Sequence, residues 1–232
     1  MSPSIYIYIV STFLLAFSSL AVGFFSLGRN FNSKVVRLWF LMNMAVAVWA
    51  TGHALSIVVG QSGDLPLTVF YLRLLRLGVA FIPIFYLHFI LSFFHQEKRY
   101  RWLLLIGYVV AVIFIPVNLF TSYFTASATP KVGFNLWLEG GQYNWVSVIY
   151  FWLYALFSLY FLYRGYKESD GIIKKKAGYI LVASIIGFGG GGTVWLPETV
   201  GIYPFGQFIT WLYPLIITYG IFAPLQIKIK QE

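Results

Sequence analysis

The chain has no cysteine, three histidines and seven acidic residues among its 232 positions. Without cysteine there is no disulfide framework, no thiol nucleophile and no thiolate metal cluster. Charged residues make up 10% of the chain, against about 25% in water-soluble domains. So few carboxylates leave little from which to build a paired acid–base site. No group of His, Asp and Glu has the spacing of a metal centre, and no lysine lies within a long apolar stretch to carry a retinal Schiff base. No metal or other cofactor is expected.

What the chain does have is apolar surface. It is 59% hydrophobic and 21% aromatic, with a mean hydropathy of +0.79. A core of this size cannot enclose so many apolar side chains, so lipid must cover part of them. Crossing a hydrocarbon layer of about 30 Å takes roughly 20 helical residues. Seven stretches satisfy this: Ile5–Leu27, Val36–Val59, Leu67–Phe94, Trp102–Ser122, Val146–Arg164, Gly178–Leu196 and Phe205–Leu225. Runs such as Phe13-Leu14-Leu15-Ala16-Phe17 do not alternate as barrel strands do, and in lipid a helix pairs its own backbone. The expectation is an all-α membrane protein, a seven-helix bundle over residues 1–225 with a short cytoplasmic juxtamembrane tail at 226–232.

The net charge of +9 is concentrated. Arg29, Lys34, Arg37, Lys98, Arg99, Arg101, Arg164, Lys167, Lys174, Lys175, Lys176, Lys228 and Lys230 fall in the first, third and fifth joints or the tail. Arg73, Arg76 and Lys131 fall on the other side. Cytoplasmic loops collect Lys and Arg, which predicts the N-terminus outside and the C-terminus inside. Basic loops so placed suit anionic lipid headgroups, not nucleic acid. The fourth joint, residues 123–145, is the long one. Val132–Leu138 is aromatic and β-prone, Glu139-Gly140-Gly141 reads as a turn, and Gln142–Trp145 reads as the returning strand. This predicts a small β-hairpin over the outer mouth. Pro83, Pro116 and Pro214 interrupt spans three, four and seven. Gly189–Gly192 in span six serves either close packing or a hinge.

Span three reads Arg73-Leu-Leu-Arg76-Leu-Gly78, then Pro83, His88 and Phe89; Leu196-Pro197-Glu198 with Gly201-Ile202 and Pro204 follows span six; Tyr219-Gly220-Ile221-Phe222 ends span seven. Together these resemble the N-terminal seven-helix membrane region of bacterial and archaeal sensor histidine kinases, over essentially the whole chain. The resemblance implies a sensor in a prokaryotic plasma membrane, coupled to a cytoplasmic signalling domain or protein, with a homodimer as the coupling unit. No phosphoacceptor-His motif or ATP-binding box occurs in these residues, so it implies no kinase activity for this chain.

Polar groups within the spans are costly and face the protein interior. Arg73 and Arg76, at i and i+3, share a helix face, with Glu198 on the same side of the membrane. They could bind an anionic ligand with Glu198 as the competing partner, or form a structural ion pair, or reach the headgroups. His53 follows Trp49 by one helical turn and either lines an outer pocket or is a hydrogen-bonded packing histidine. His53 and His88 lie about 25 Å and 9 Å from the inner face at ~1.5 Å per residue, too far apart in depth to share a haem. Trp137, Trp145, Trp195 and Tyr203 converge on the outer side, as pocket walls or as an interfacial girdle. The preferred reading is a receptor for a small ligand bound by His53, Arg73, Arg76, Trp137, Trp195, Glu198 and Tyr203, with Pro214 and Tyr219 carrying the signal inward. A transporter or channel is the alternative.

Overall fold

Two helices in the middle of the chain form the spine. α2 (Lys34–Ser62) starts where the Ser33 hydroxyl accepts from the Val36 amide at 3.4 Å and stops at Gly63, in the left-handed region at φ 82°. α3 (Leu65–Phe93) follows at once, its first turn held by the Asp64 side chain accepting from the Leu67 amide, as expected of an Asp before a helix. The two pack along their length through small residues. A Cβ on Gly78 would sit 2.7 Å from the Trp49 amide nitrogen, and one on Gly52 would sit 2.8 Å from that of Leu75. Backbones approach this closely only where side chains are absent.

Other elements of the computed structural model, which describes residues 2–222, surround this pair. α1 (Pro3–Arg29) lies against α2; α4 (Arg101–Phe120) and α5 (Asn144–Glu168) lie against α3; α6 (Gly171–Gly192) joins α5. A 3-10 turn (Thr193–Trp195) and the short α7 (Leu196–Thr199) carry the chain to α8 (Gln207–Thr210) and α9 (Tyr213–Phe222). α9 packs on both α6 and α1. The order α1, α2, α3, α5, α6, α9 therefore closes a ring, and α4 stands outside it. α4 turns Trp102, Ile106, Ile113 and Phe120 outward, the surface lipid would cover.

Among the described residues, six helices are long and apolar enough to cross a membrane. The expected seventh span is broken: Pro214 has no N–H to give the Thr210 carbonyl, and the chain turns between α8 and α9. Residues 207–222 reach about 24 Å at ~1.5 Å per residue. Residues 223–225 of that span and the expected tail 226–232, with Lys228 and Lys230, lie outside the described residues. α3 and α4 run on through Pro83 and Pro116. The glycine run stays helical and serves packing: a Cβ on Gly190 would lie 2.8 Å from the Gly206 carbonyl oxygen.

The expected hairpin forms, in a different register from the expected one. β1 (Thr125–Lys131) pairs antiparallel with β2 (Phe134–Gly140) about the two-residue turn Val132-Gly133. Val132 and Gly133 have φ of 50° and 87°, the primed turn that suits strand twist. Glu139 lies in the second strand, where Lys131 and Thr129 donate to it, each at 2.8 Å. Those two hydrogen bonds hold its carboxyl below the ordinary carboxylate range.

The hairpin, the start of α1, the end of α2 and the sixth joint share one end of the bundle. Asn135 Nδ2 donates to the Gln61 carbonyl at 2.9 Å, and the Tyr203 hydroxyl to the Ser4 carbonyl at 3.0 Å. The basic joints gather at the other end, where Lys34 bridges Glu97 at 2.8 Å and Gly165 abuts Phe94.

Replacing Gly78 by Leu should force α2 and α3 apart and cost ~1–3 kcal/mol or more, the usual range for overpacking. Gly28→Ala, at an open position, should be neutral or slightly stabilising. Thermal unfolding of both variants in the same detergent checks the contrast.

Candidate functional site

Beneath the hairpin the ring encloses two adjoining chambers. The outer one, about 40 Å³, lies between α2, α3, β2 and the 3-10 turn. The inner one, about 50 Å³, lies deeper between α2, α3, α5, α6 and α9. Trp49, Val79, Val194 and Trp195 border both.

Four expected site residues, His53, Arg76, Trp137 and Trp195, line the outer chamber together. His53 is stacked on Trp49 at 5.9 Å and 9°, meets Trp137 edge-on at 5.2 Å, and has Nε2 2.8 Å from the Tyr8 hydroxyl. Its Nδ1 makes no hydrogen bond among the described residues. Trp137 reaches the site because the hairpin drives Phe134 and Trp137 down onto Tyr8, at 5.4 and 6.2 Å between ring centroids. Phe134 and Trp137, three residues apart, reach one face because the pairing shifts between them, from Lys131–Phe134 to Thr129–Trp137, while Asn135 is exposed.

Arg76 is 5% exposed. Its Nη1 donates to Ser147 Oγ at 3.0 Å; its Nη2 donates to Asn144 Oδ1 at 2.7 Å and to the Phe124 carbonyl at 3.2 Å. Glu198 does not pair with it directly among the described residues. Asn144 stands between them, its Nδ2 donating to Glu198 Oε1 at 3.0 Å, and the Gly140 amide donates to the same oxygen at 2.9 Å. One relay thus ties α3, the approach to β1, the end of β2, the start of α5, and α7. Of the alternatives open for Arg76 and Glu198, the direct ion pair is replaced by a bridged pair, because the end of β2 and the N-terminus of α5 stand between the two charges. Arg76 Nε is left without a partner.

The remaining expected residues lie elsewhere. Arg73 turns toward α4, where its Nη1 donates to the Leu119 carbonyl at 3.4 Å and its own carbonyl accepts from Asn118. A three-residue step rotates a side chain about 60° round the helix, enough to separate the two arginines. Tyr203 lines neither chamber; it stacks on Phe134 at 5.5 Å and on Phe208 at 6.1 Å. Trp145 does not converge on the site: it is 59% exposed because it opens α5 on the outward side. Pro214 and Tyr219 lie on α9, the first buried, the second 56% exposed and edge-on to Tyr179 at 5.3 Å.

Sequence reasoning missed Asn144, Ser147 and Tyr8. An Asn and a Ser three residues apart at the start of an apolar helix was the available sign of the first two. Tyr8 gave none, being one of 17 tyrosines.

The long apolar helices are those of a multi-pass membrane protein. The family comparison is specific: the model of the N-terminal 7TM region of histidine kinase matches residues 8–223, and the chain belongs to that family. That region is the sensor part of histidine kinases, distinct from their catalytic core. No curated protein and no solved structure matches significantly.

Substituting Glu198 by Ala should release the Gly140 amide and leave Asn144 half-paired. Hydrogen exchange of residues 134–141 should then speed up by about tenfold, the equivalent of ~1.4 kcal/mol of lost protection, while the α2–α3 contact keeps its protection.

Proposed function

We propose that the chain detects a small ligand in the chambers beneath the hairpin and relays its binding through α9 to a cytoplasmic histidine-kinase output. The observation that carries the reading is the composition of the chamber walls. The outer chamber has β2 as its roof and His53, Ser56 and Arg76 among its polar groups. The inner chamber has Tyr213 and Ile217 of α9 in its wall, and Tyr213 adjoins Pro214, where the seventh segment is broken. An occupant of the chambers therefore touches the element that leads to the C-terminus.

Both chambers are small beside the roughly 300–1,000 Å³ of a typical small-molecule pocket. A ligand of ordinary size binds by favouring a wider spacing of the ring. Its effect on output is set by its unequal affinity for the two packings. α9 is coupled to the rest at its inner end: Lys176 Nζ donates to the Ile221 carbonyl at 2.6 Å, and Trp39 Nε1 to Thr218 Oγ1 at 3.0 Å. The orientation that goes with this reading puts the hairpin outside a prokaryotic plasma membrane and the basic joints in the cytoplasm. Residues 205–225 act as the seventh crossing, and a homodimer is the signalling unit.

The natural absence of cysteine makes a labelling test clean. Lys131→Cys in whole cells should react with a membrane-impermeant maleimide, and Lys175→Cys should react only after the membrane is opened. Equal reactivity at both positions in intact cells contradicts the orientation. With the C-terminus joined to a histidine-kinase catalytic region, Pro214→Ala should change basal autophosphorylation by about threefold or more, from ~0.7 kcal/mol of shifted equilibrium. Output identical to wild type contradicts the route through α9.

A further inference from the structure

The two chambers offer an occupant different chemistry. In the inner one each side-chain hydroxyl already has a partner among the described residues. Tyr86 Oη and Ser184 Oγ hydrogen-bond to each other, Thr210 Oγ1 donates to the Gly206 carbonyl at 2.9 Å, and the Tyr213 hydroxyl points at the Met42 sulfur at 3.9 Å. A buried water needs two to four polar partners, and cavities without them stay dry and take apolar guests. The outer chamber is the reverse. Arg76 lines it, as it lines a smaller cavity toward Phe124 and Ser147, and its buried Nε has no acceptor among the described residues; His53 has one ring nitrogen beyond the bond to Tyr8. Guanidinium N–H groups only donate, so the complement is an oxygen acceptor. The shared walls, Trp49 and Trp195 among them, divide a polar chamber on the hairpin side from an apolar one below it.

From this we infer that the occupant is an acyl chain, its carboxylate or ester oxygen at Arg76 and its hydrocarbon in the inner chamber beside Gly191. Gly191 is where the space lies: a Cβ there would meet its nearest atoms, on Thr210 and Trp49, at 4.0 Å. The inner chamber, about 50 Å³, is below the ~150 Å³ that encloses a benzene. A chain of several carbons therefore has to move the tryptophan pair and spread α6 from α2 and α3. The inference rests on the sensing function proposed above and names its ligand class.

The test uses the full chain in nanodiscs and a six-carbon carboxylic acid carrying a terminal diazirine, with the labelled residues located by mass spectrometry. Label is expected between Ser184 and Gly192 or on Tyr213. Hexanoate should compete about tenfold better than hexylamine, the factor given by one charge-assisted hydrogen bond. Arg76→Met should erase that preference. Gly191→Leu, which fills the space with little strain, should cut the labelling about fivefold or more, one further tenfold step being ~1.4 kcal/mol. A phospholipid bearing the same diazirine in an acyl tail separates the sources: label from it identifies a membrane lipid chain, and label from the free acid alone identifies a free fatty acid. Label confined to the lipid-facing Val182 and Ile185, unchanged by Gly191→Leu, overturns the inference. A kinase fusion indifferent to an acid that labels the chamber sinks the sensing function and leaves the ligand class standing. A fusion that responds to another stimulus while the chamber stays unlabelled does the opposite.

Discussion

A guanidinium buried among helices has to be surrounded by acceptors, since an ion withdrawn from water without them costs several kcal/mol. Arg76 meets that demand with side-chain oxygens of α5 and a backbone carbonyl next to β1. Through Asn144 the same network takes in Glu198 and, from it, the last residue of β2. Three segments far apart in sequence are held at one point. The hairpin is a roof because of this network and because Phe134 and Trp137 are seated on Tyr8. The chamber below it exists because the roof is held.

The rest of the architecture follows from which helices can approach closely. Gly52 and Gly78 let α2 and α3 meet at backbone distance. Gly190 lets α6 meet the turn at Gly206. Between those two seams α6 meets the α2–α3 pair through side chains, Ser184 and Phe188 against Tyr86, and the interior left there is the pair of chambers. The broken seventh segment supplies one wall of the inner chamber and continues toward the C-terminus. The proposed sensing function needs that geometry, with the chamber and the last helix in contact.

Much of this was legible in the chain. Six of the seven hydropathy stretches fall on long apolar helices, the sixth of which begins at Gly171, well before the expected Gly178. The basic joints do gather at one end of the bundle. His53, Arg76, Trp137 and Trp195 could be grouped because helical spacing and loop position put them at one depth. The illegible parts were those decided by three-dimensional pairing. The hairpin turn fell at Val132-Gly133 and not at Glu139–Gly141, since a valine at positive φ is no turn signal and only the seating of Phe134 and Trp137 selects that register. Arg73 and Arg76 parted because a 60° rotation decides whether a side chain meets α4 or α5. The bridging role of Asn144 depended on where the hairpin ends, which spacing along the chain does not reveal.

The most direct measurement is a double-mutant cycle on Arg76 and Glu198, with Arg76→Met, Glu198→Gln and the pair compared by unfolding in the same detergent. If Asn144 joins them in one network, the two changes should couple by about 1 kcal/mol or more, as residues of a shared polar network do. Additivity within about 0.3–0.5 kcal/mol, the behaviour of independent sites, would contradict the claim that this buried arginine holds the roof on the bundle.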